Sequence, residues 1–412
     1  MDAAFLQQEK LERLLALLQA VPHSFYGRRF QGHSLSPSSF KQLPFTTKDQ
    51  LLQDRLEHPP FGSNFTEPVE RYTRFCQTSG TSTGQPMAVL DTPESWSSML
   101  DCWRKVFSSA GLMRGQDRIF FAFSFGPFLG FWTAFEAAAT EYLALPGGGL
   151  SSTARLETMA RYQATVLCCT PTYALRLGES IGAPSGVSLD QLAVKKIIVA
   201  GEAGGSLPTT RKRLQELWGG AQIYDHHGMT EVGPVSYEDP HHPGSLCVIE
   251  EAYLAEVLDA AGQEVPDGGE GELVLTTLNR TASPLIRYRT GDWVCKHRIH
   301  DKLYLEGGIL ARCDDMVVIR GVNIYPSAIE NVVRRMPEIA EFMVEQRSVD
   351  SMEEIEIVIE PHAGLGEEPI QLARRLENRL RDTFSLRIQV RPAGLMTLPR
   401  FEFKSNRWKK LQ

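Results

Sequence analysis

The stretch with the clearest capacity for chemistry is Thr78-Ser79-Gly80-Thr81-Ser82-Thr83-Gly84-Gln85-Pro86, a run of hydroxyls and glycines with almost no side-chain bulk. Its flanks, Tyr72 to Phe75 and Met87 to Leu90, are rich in aromatic, apolar and β-branched residues and predict two strands. A loop between strands can turn its backbone N–H groups and hydroxyls onto one anion, so the stretch suits phosphate. A flexible Ser/Thr/Gly linker has the same composition, and the stretch alone leaves both readings open. Further along stand Gly201-Glu202-Ala203-Gly204-Gly205 and Asp225-His226-His227-Gly228-Met229-Thr230-Glu231, and near the end a basic tail with Lys404, Arg407, Lys409 and Lys410.

The elements that must position these groups alternate between helix and strand. Met1 to Gln19 has an amphipathic helical pattern with mixed charge, and Thr46 to Leu52 reads as a short helix capped by a threonine. Pro93 to Ala110 places Trp96, Met99, Leu100, Trp103, Val106 and Phe107 at helical spacing, a stripe suited to the core. Strands are expected at 118–123, 142–145, 165–170, 192–200 and 222–225, with helices at 152–162, from Tyr173, and at 208–218. Strand and helix alternation with Gly-rich strand ends predicts a mostly parallel sheet that binds ligands at its carboxyl edge. Short strands from Leu246 onward read as antiparallel and close the domain. Ser124 to Trp132 mixes glycine with aromatic rings, which suits either the wall of an apolar pocket or an aromatic corner of the core.

At 412 residues the chain is long enough for two domains with separate cores, divided here at 311/312. The fold class is therefore α/β, with a large N-terminal domain over 1–311 and a small α+β domain over 312–412. A net charge of −7 argues against non-specific nucleic-acid binding. No apolar run reaches the ~18–20 residues of a membrane helix, and the N-terminus is not patterned as a signal peptide, so a cytoplasmic protein with reduced cysteines is expected.

Five stretches, TSGTSTGQP, GEAGG, HHGMTEVGP, YRTGD and ARCDDMVVIRGVNIYPSAIE, stand in an order that resembles the adenylate-forming superfamily of acyl-CoA synthetases, adenylation domains and luciferases. The last stretch and the short chain look like the phenylacetate-CoA ligase branch. The resemblance implies an ATP-dependent carboxylate–CoA ligase: the acid attacks the α-phosphorus of ATP to give acyl-AMP and pyrophosphate, and the thiol of coenzyme A then displaces AMP. It implies that Thr78, Ser79, Gly80, Thr81, Thr83 and Gly84 grip the β- and γ-phosphates, although the loop carries an extra hydroxyl residue and has Gln85 where lysine is common. Gly201, Glu202 and Ala203 would border adenine and the acyl pocket. Asp225, His226, Gly228 and Met229 belong to the nucleotide motif, and His227 stands where relatives usually have the tyrosine that packs on adenine. Thr230 would touch the α-phosphate and Glu231 would bind Mg²⁺. Asp292 would accept hydrogen bonds from the ribose hydroxyls, and Arg312 would reach the ribose or the α-phosphate. Asp314 would be the hinge about which the small domain turns, Gly321 would line the pantetheine channel, and Lys404 would bridge substrate carboxylate and α-phosphate. Phe123, Phe125, Gly126 and Phe128 would wall the acyl pocket, which suits an aromatic or apolar acid.

Two other functions fit the same residues. One is an adenylating enzyme that hands the acyl group to a carrier protein or an amine. The other is a non-catalytic nucleotide-binding member, suggested by the altered loop and by His227. A structural zinc among Glu238, His241, His242, Cys247 and Cys313 has irregular spacing to recommend against it, and His226-His227 is a poor metal pair because neighbours on a strand face opposite ways. Relatives are often homodimers.

Overall fold

A computed structural model of the chain describes residues 3–78, 86–182, 185–202, 204–313, 317–319, 322–349, 352–363, 368–401 and 407–411. Helix α1 (Ala3–Ala20) buries Leu11, Leu14, Leu15 and Leu18, the i, i+3, i+4, i+7 stripe of a helix laid on a core. A short α2 (Phe25–Arg29) follows, and α3 (Lys48–Glu57) starts at a capping box in which Thr47 and Gln50 satisfy each other's backbone N–H groups. Strands β1 (Arg74–Gln77) and β2 (Ala88–Asp91) pair antiparallel on either side of the hydroxyl-rich loop. Thr78 closes that hairpin: its N–H donates to the Met87 carbonyl at 3.0 Å, and its hydroxyl accepts from the Met87 N–H at 2.9 Å.

Helix α4 (Pro93–Ser109), capped by Thr92, turns Trp96, Met99, Trp103, Val106 and Phe107 inward, as its spacing predicts. The chain then builds one half of a twisted sheet from β3 (Arg118–Phe121), α5 (Leu129–Ala139), β4 (Leu143–Pro146), α6 (Ser152–Tyr162), β5 (Val166–Cys169), α7 (Pro171–Glu179), β6 (Lys196–Ala200), α8 (Pro208–Leu217) and β7 (Gln222–Met229). These five strands are mutually parallel in the order β4-β3-β5-β6-β7. β5 is buried along its whole length, which explains the unbroken apolar run Val166-Leu167-Cys168-Cys169.

The sheet continues antiparallel through β8 (Gly233–Glu238), β9 (Ser245–Val248), β10 (Tyr253–Leu258), β11 (Glu270–Thr277), β12 (Tyr288–Ile299) and β13 (Lys302–Arg312), in the order β7-β8-β9-β13-β12-β11-β10. Two differences from the sequence-based expectation matter for the site. β7 does not stop at Asp225 but runs through His226 and His227 to Met229, and β8, which the sequence pattern did not mark, pairs back onto it. The motif 225–231 is thus a hairpin and not a loop.

From residue 317 the chain forms a separate sheet of β14 (Val317–Ile319), β15 (Val322–Ile324), β16 (Ile339–Val349), β17 (Met352–Pro361), β18 (Gln389–Pro392) and β19 (Trp408–Lys410), covered by α9 (Pro326–Arg334) and α10 (Pro369–Phe384). Ile329, Val333, Phe342, Val344, Ile357, Leu372 and Leu376 fill its own apolar core.

Candidate active site

The centre of the site is Asp292 on β12. Its Oδ1 accepts from Arg312 Nη1 at 2.8 Å, and its Oδ2 lies 3.0 Å from His227 Nε2. Asp292 and Arg312 are direct cross-strand partners on β12 and β13. Three strands separate β12 from β7 in hydrogen-bonding order, so the contact with His227 requires the sheet to curl over itself. Asp292 is buried. Burial pushes its carboxyl upward, but the hydrogen bonds and charges of His227 and Arg312 outweigh it and hold the group below the usual aspartate value. Each Asp292 oxygen keeps a lone pair beyond its protein partner, which preserves its capacity to accept two hydroxyls.

His227 and His226 face opposite ways, as expected of a strand. His226 is buried against Trp103, with ring centroids 4.3 Å apart, and its Nδ1 lies 2.7 Å from the Ser236 carbonyl. Burial drives its pKa down to about 3, which keeps the imidazole neutral. His227 is held by Asp292 through Nε2, and its Nδ1 is buried with no hydrogen-bond partner among the described residues.

Asp225 is fixed in the middle of β7. Its Oδ2 accepts from Ser206 Oγ at 2.6 Å, and its backbone N–H donates to Glu238, which Arg211 grips at 2.7 Å. A Cβ on Gly205 would sit 2.3 Å from the Asp225 carboxylate, and one on Gly308 would sit 2.6 Å from Ser206 Oγ. Glycine at both positions lets β13 and the segment after β6 close on the carboxylate. Burial raises the Asp225 pKa to about 6, against the lowering effect of Ser206.

The turn after Met229 is fixed from below. Arg280 Nε and Nη2 form a bidentate pair with Asp91 at 2.6 and 2.5 Å, and its Nη1 donates to the carbonyls of Thr230 at 3.1 Å and Glu231 at 2.6 Å. Both partners are buried, Arg280 at 2% and Asp91 at 1% exposure. Since β2 leaves the hydroxyl-rich loop and ends at Asp91, this pair ties the exit of that loop to the 230–231 turn. The Glu231 carboxylate accepts from the Tyr288 hydroxyl at 2.9 Å and lines a cavity of about 20 Å³ together with Arg55, Asn64 and Ser283. One half-buried carboxylate oxygen donor of this kind suits Mg²⁺, which takes one or two carboxylates and completes its shell with phosphate and water. Arg280 and Asp91 carried no motif signal in the sequence, whereas Tyr288 opens the YRTGD stretch without a role of its own being read there. Only their contacts identify them.

Gly201, exposed at φ +93°, and Glu202 follow β6. Glu202 Oε1 accepts from the Thr172 N–H at 2.8 Å, at the start of α7. The aromatic segment divides between core and partial exposure. Phe123 is buried and stacks on Phe131 at 4.1 Å, whereas Phe125, Gly126 and Phe128 are half-buried beside it. The Gln77 N–H donates to the Pro127 carbonyl at 2.7 Å, so this segment abuts the base of the hydroxyl-rich loop. Ser79, Gly80, Thr81, Thr83, Gly84, Ala203, Asp314, Gly321 and Lys404 lie outside the described residues. The chain on either side of Lys404 is anchored: the Arg400 carbonyl accepts from Arg176 Nη1 on α7 at 3.2 Å, and Arg407 pairs with Glu341 at 2.7 Å and Glu330 at 3.1 Å. Among the described residues no group of three His, Cys, Asp or Glu side chains converges to hold a metal, so the zinc alternative gains no support.

A curled mixed sheet with a carboxylate clamp at its centre, followed by a small separate sheet domain, defines an adenylate-forming ligase. Residues 46–280 match the AMP-binding enzyme family and 321–410 the AMP-binding enzyme C-terminal domain, and the chain belongs to this family. It is 32% identical to the phenylacetate-coenzyme A ligase of Thermus thermophilus over 86% of this chain and 80% of that protein. A solved 2-hydroxyisobutyryl-CoA ligase in the postadenylation state with 2-HIB-AMP superposes with a TM-score of 0.89 at 25% identity, covering 98% of this chain and 90% of that one. With 2-HIB-AMP and CoA in the thioesterification state, that enzyme gives 0.72 at 26% identity, covering 100% and 90%. The chain is an ATP-dependent, AMP-forming acid–CoA ligase acting on a small carboxylic acid, and Mg²⁺ is usual for the family. Among the described residues no helix is long and apolar enough to cross a membrane.

Proposed function

We propose that the acid is aromatic or otherwise apolar and that the clamped Asp292 is the anchor of the nucleotide. The observation that carries the nucleotide anchor is the meeting of His227, Asp292 and Arg312 at 3.0 and 2.8 Å. Asp292 would take the ribose hydroxyls on its remaining lone pairs, His227 would lay its fixed ring against adenine, and Arg312 would reach the ribose or α-phosphate. Thr230 and Glu231 would face the α-phosphate side of ATP, with residues 78–84 on the β- and γ-phosphates. Mg²⁺, when bound at Glu231, supplies charge neutralisation of the phosphates. Lys404 would span the substrate carboxylate and the α-phosphate and offset the charge that builds as the two anions approach.

The boundary is proposed at 311/312, with Asp314 as the hinge and Gly321 in the thiol channel. The higher TM-score with the postadenylation structure supports an arrangement of the two domains suited to the first half-reaction. Phe123, Phe125, Gly126 and Phe128, with Gly201, would form the acyl wall, and the rings of Phe131 and Trp132 extend it. A holo-carrier thiol is the second acceptor to test beside CoA. The buried, unbridged Cys76, Cys102, Cys168, Cys169 and Cys247 support a reducing, cytoplasmic setting.

The test of the substrate class is acid-dependent ATP–pyrophosphate exchange over a panel from arylacetates and benzoates to short hydroxy acids. Aryl acids are expected to give the highest kcat/KM. An optimum among small polar acids would overturn the apolar wall.

A further inference from the structure

The connection from β11 to β12 carries Arg280, which grips the Glu231 backbone, and leads into Tyr288, the first residue of β12, which grips the Glu231 side chain. Arg280 donates to the Glu231 carbonyl at 2.6 Å while locked to Asp91, and Tyr288 donates to the Glu231 Oε1 at 2.9 Å. Tyr288 is itself buried at 1% exposure, so its ring has no freedom to follow a carboxylate that moves. Arg280 cannot shift without breaking a bidentate pair sealed from water. A glutamate side chain on a turn normally samples several rotamers. Here both ends are fixed, and the oxygen not held by Tyr288 is the one left for a ligand.

We propose that Tyr288 and Arg280 are positioning residues for metal binding by Glu231: together they pre-set the direction of its carboxylate, and the Asp91 pair ties that direction to the exit of the phosphate-binding loop. This rests on the reading of Glu231 as the Mg²⁺ ligand. Tyr288 acts through the carboxylate that it orients and touches neither nucleotide nor acid. Partners of this kind hold a ligand in its binding geometry, and their loss typically costs about 10- to 100-fold in metal affinity.

The experiment measures Mn²⁺ binding to the full chain by electron paramagnetic resonance, with the non-hydrolysable α,β-methylene analogue of ATP present and no acid. Metal-free AMP binding is followed in parallel by calorimetry. Tyr288→Phe is expected to weaken Mn²⁺ about tenfold and leave AMP affinity unchanged, a split that general loss of structure would not give. Glu231→Gln is expected to weaken Mn²⁺ at least as much, and the double variant Tyr288→Phe/Glu231→Gln no more than Glu231→Gln alone, because the hydroxyl acts only through the carboxylate. Arg280→Lys, which keeps the charge but cannot span Asp91 and two carbonyls at once, should weaken Mn²⁺ in the same direction. Unchanged Mn²⁺ affinity in Tyr288→Phe and Arg280→Lys with a loss in Glu231→Gln overturns the positioning role alone. Unchanged affinity in Glu231→Gln overturns the assignment of the metal to Glu231, and the proposal with it.

Discussion

His227 Nε2 and Asp292 Oδ2 lie 3.0 Å apart although 65 residues separate them, and Arg312 completes the clamp on the other Asp292 oxygen. Three elements that sequence order keeps distant are thereby joined at one carboxylate: the β7–β8 hairpin, strand β12 and the last residue of β13.

Removing the charge tests that joint. Asp292→Asn loses the ion pair with Arg312 and one of the ribose acceptors, so ATP and AMP affinity should fall by about 10- to 100-fold. Calorimetric titration with AMP measures it, and unchanged affinity would remove Asp292 from the nucleotide site. The same substitution has a pH signature. The folded carboxyl sits below its ordinary value, so its stabilisation is present above the unfolded value of about 3.9 and is lost as pH falls through the lower folded one. The stability gap between parent and variant should therefore be widest near neutrality and close in acid.

Asp225 should behave in the opposite sense. Burial raises its carboxyl from 3.8 to about 6, so the folded state binds the proton more tightly than the unfolded chain. Its ionised form then costs about 3 kcal/mol, fully expressed above pH 6 and relieved between pH 6 and 4. Urea titrations of Asp225→Asn against the parent should show the variant gaining relative stability as pH rises from 4 to 6, with no further change to pH 8. A constant difference across that range would mean that Asp225 titrates near its ordinary value.

Much of this fold is written in local pattern. The threonine-capped stretch at 46–52 and the apolar run ending at Ala200 mark a capped helix and a buried strand, and each is found there, whereas the helix expected from Tyr173 starts two residues earlier, at Pro171 behind the Thr170 cap. Hydroxyls flanked by strands likewise marked the hairpin that Thr78 and Met87 close. β8 escaped because Gly233-Pro234 reads as a turn, whereas those residues begin a strand that pairs back onto β7. The supports of the site were illegible for a different reason. Arg280 meets Asp91 across 189 residues, and no spacing rule relates a residue of the β11–β12 connection to one at the end of a strand in a different sheet. Phe123 and Phe128 show the limit of composition: aromatic positions five residues apart divide between fully buried and half-buried, and only packing decides which is which.

The role proposed for Lys404 separates the two half-reactions. Lys404→Ala should lower adenylation, followed by pyrophosphate exchange, by about a hundredfold or more, since the charge it offsets develops only there. Thioester formation from supplied acyl-AMP and CoA should be retained. Equal loss of both steps would place Lys404 in general substrate binding or in folding.

The most direct test follows the adenylate itself. Enzyme mixed with labelled ATP, Mg²⁺ and the best acid of the panel, without CoA, should accumulate bound acyl-AMP and release pyrophosphate in one turnover. Addition of CoA should then convert that adenylate to acyl-CoA with release of one equivalent of AMP. Retention of the adenylate after CoA is added, with discharge only to a holo-carrier or an amine, would contradict the assignment of this chain as an acid–CoA ligase.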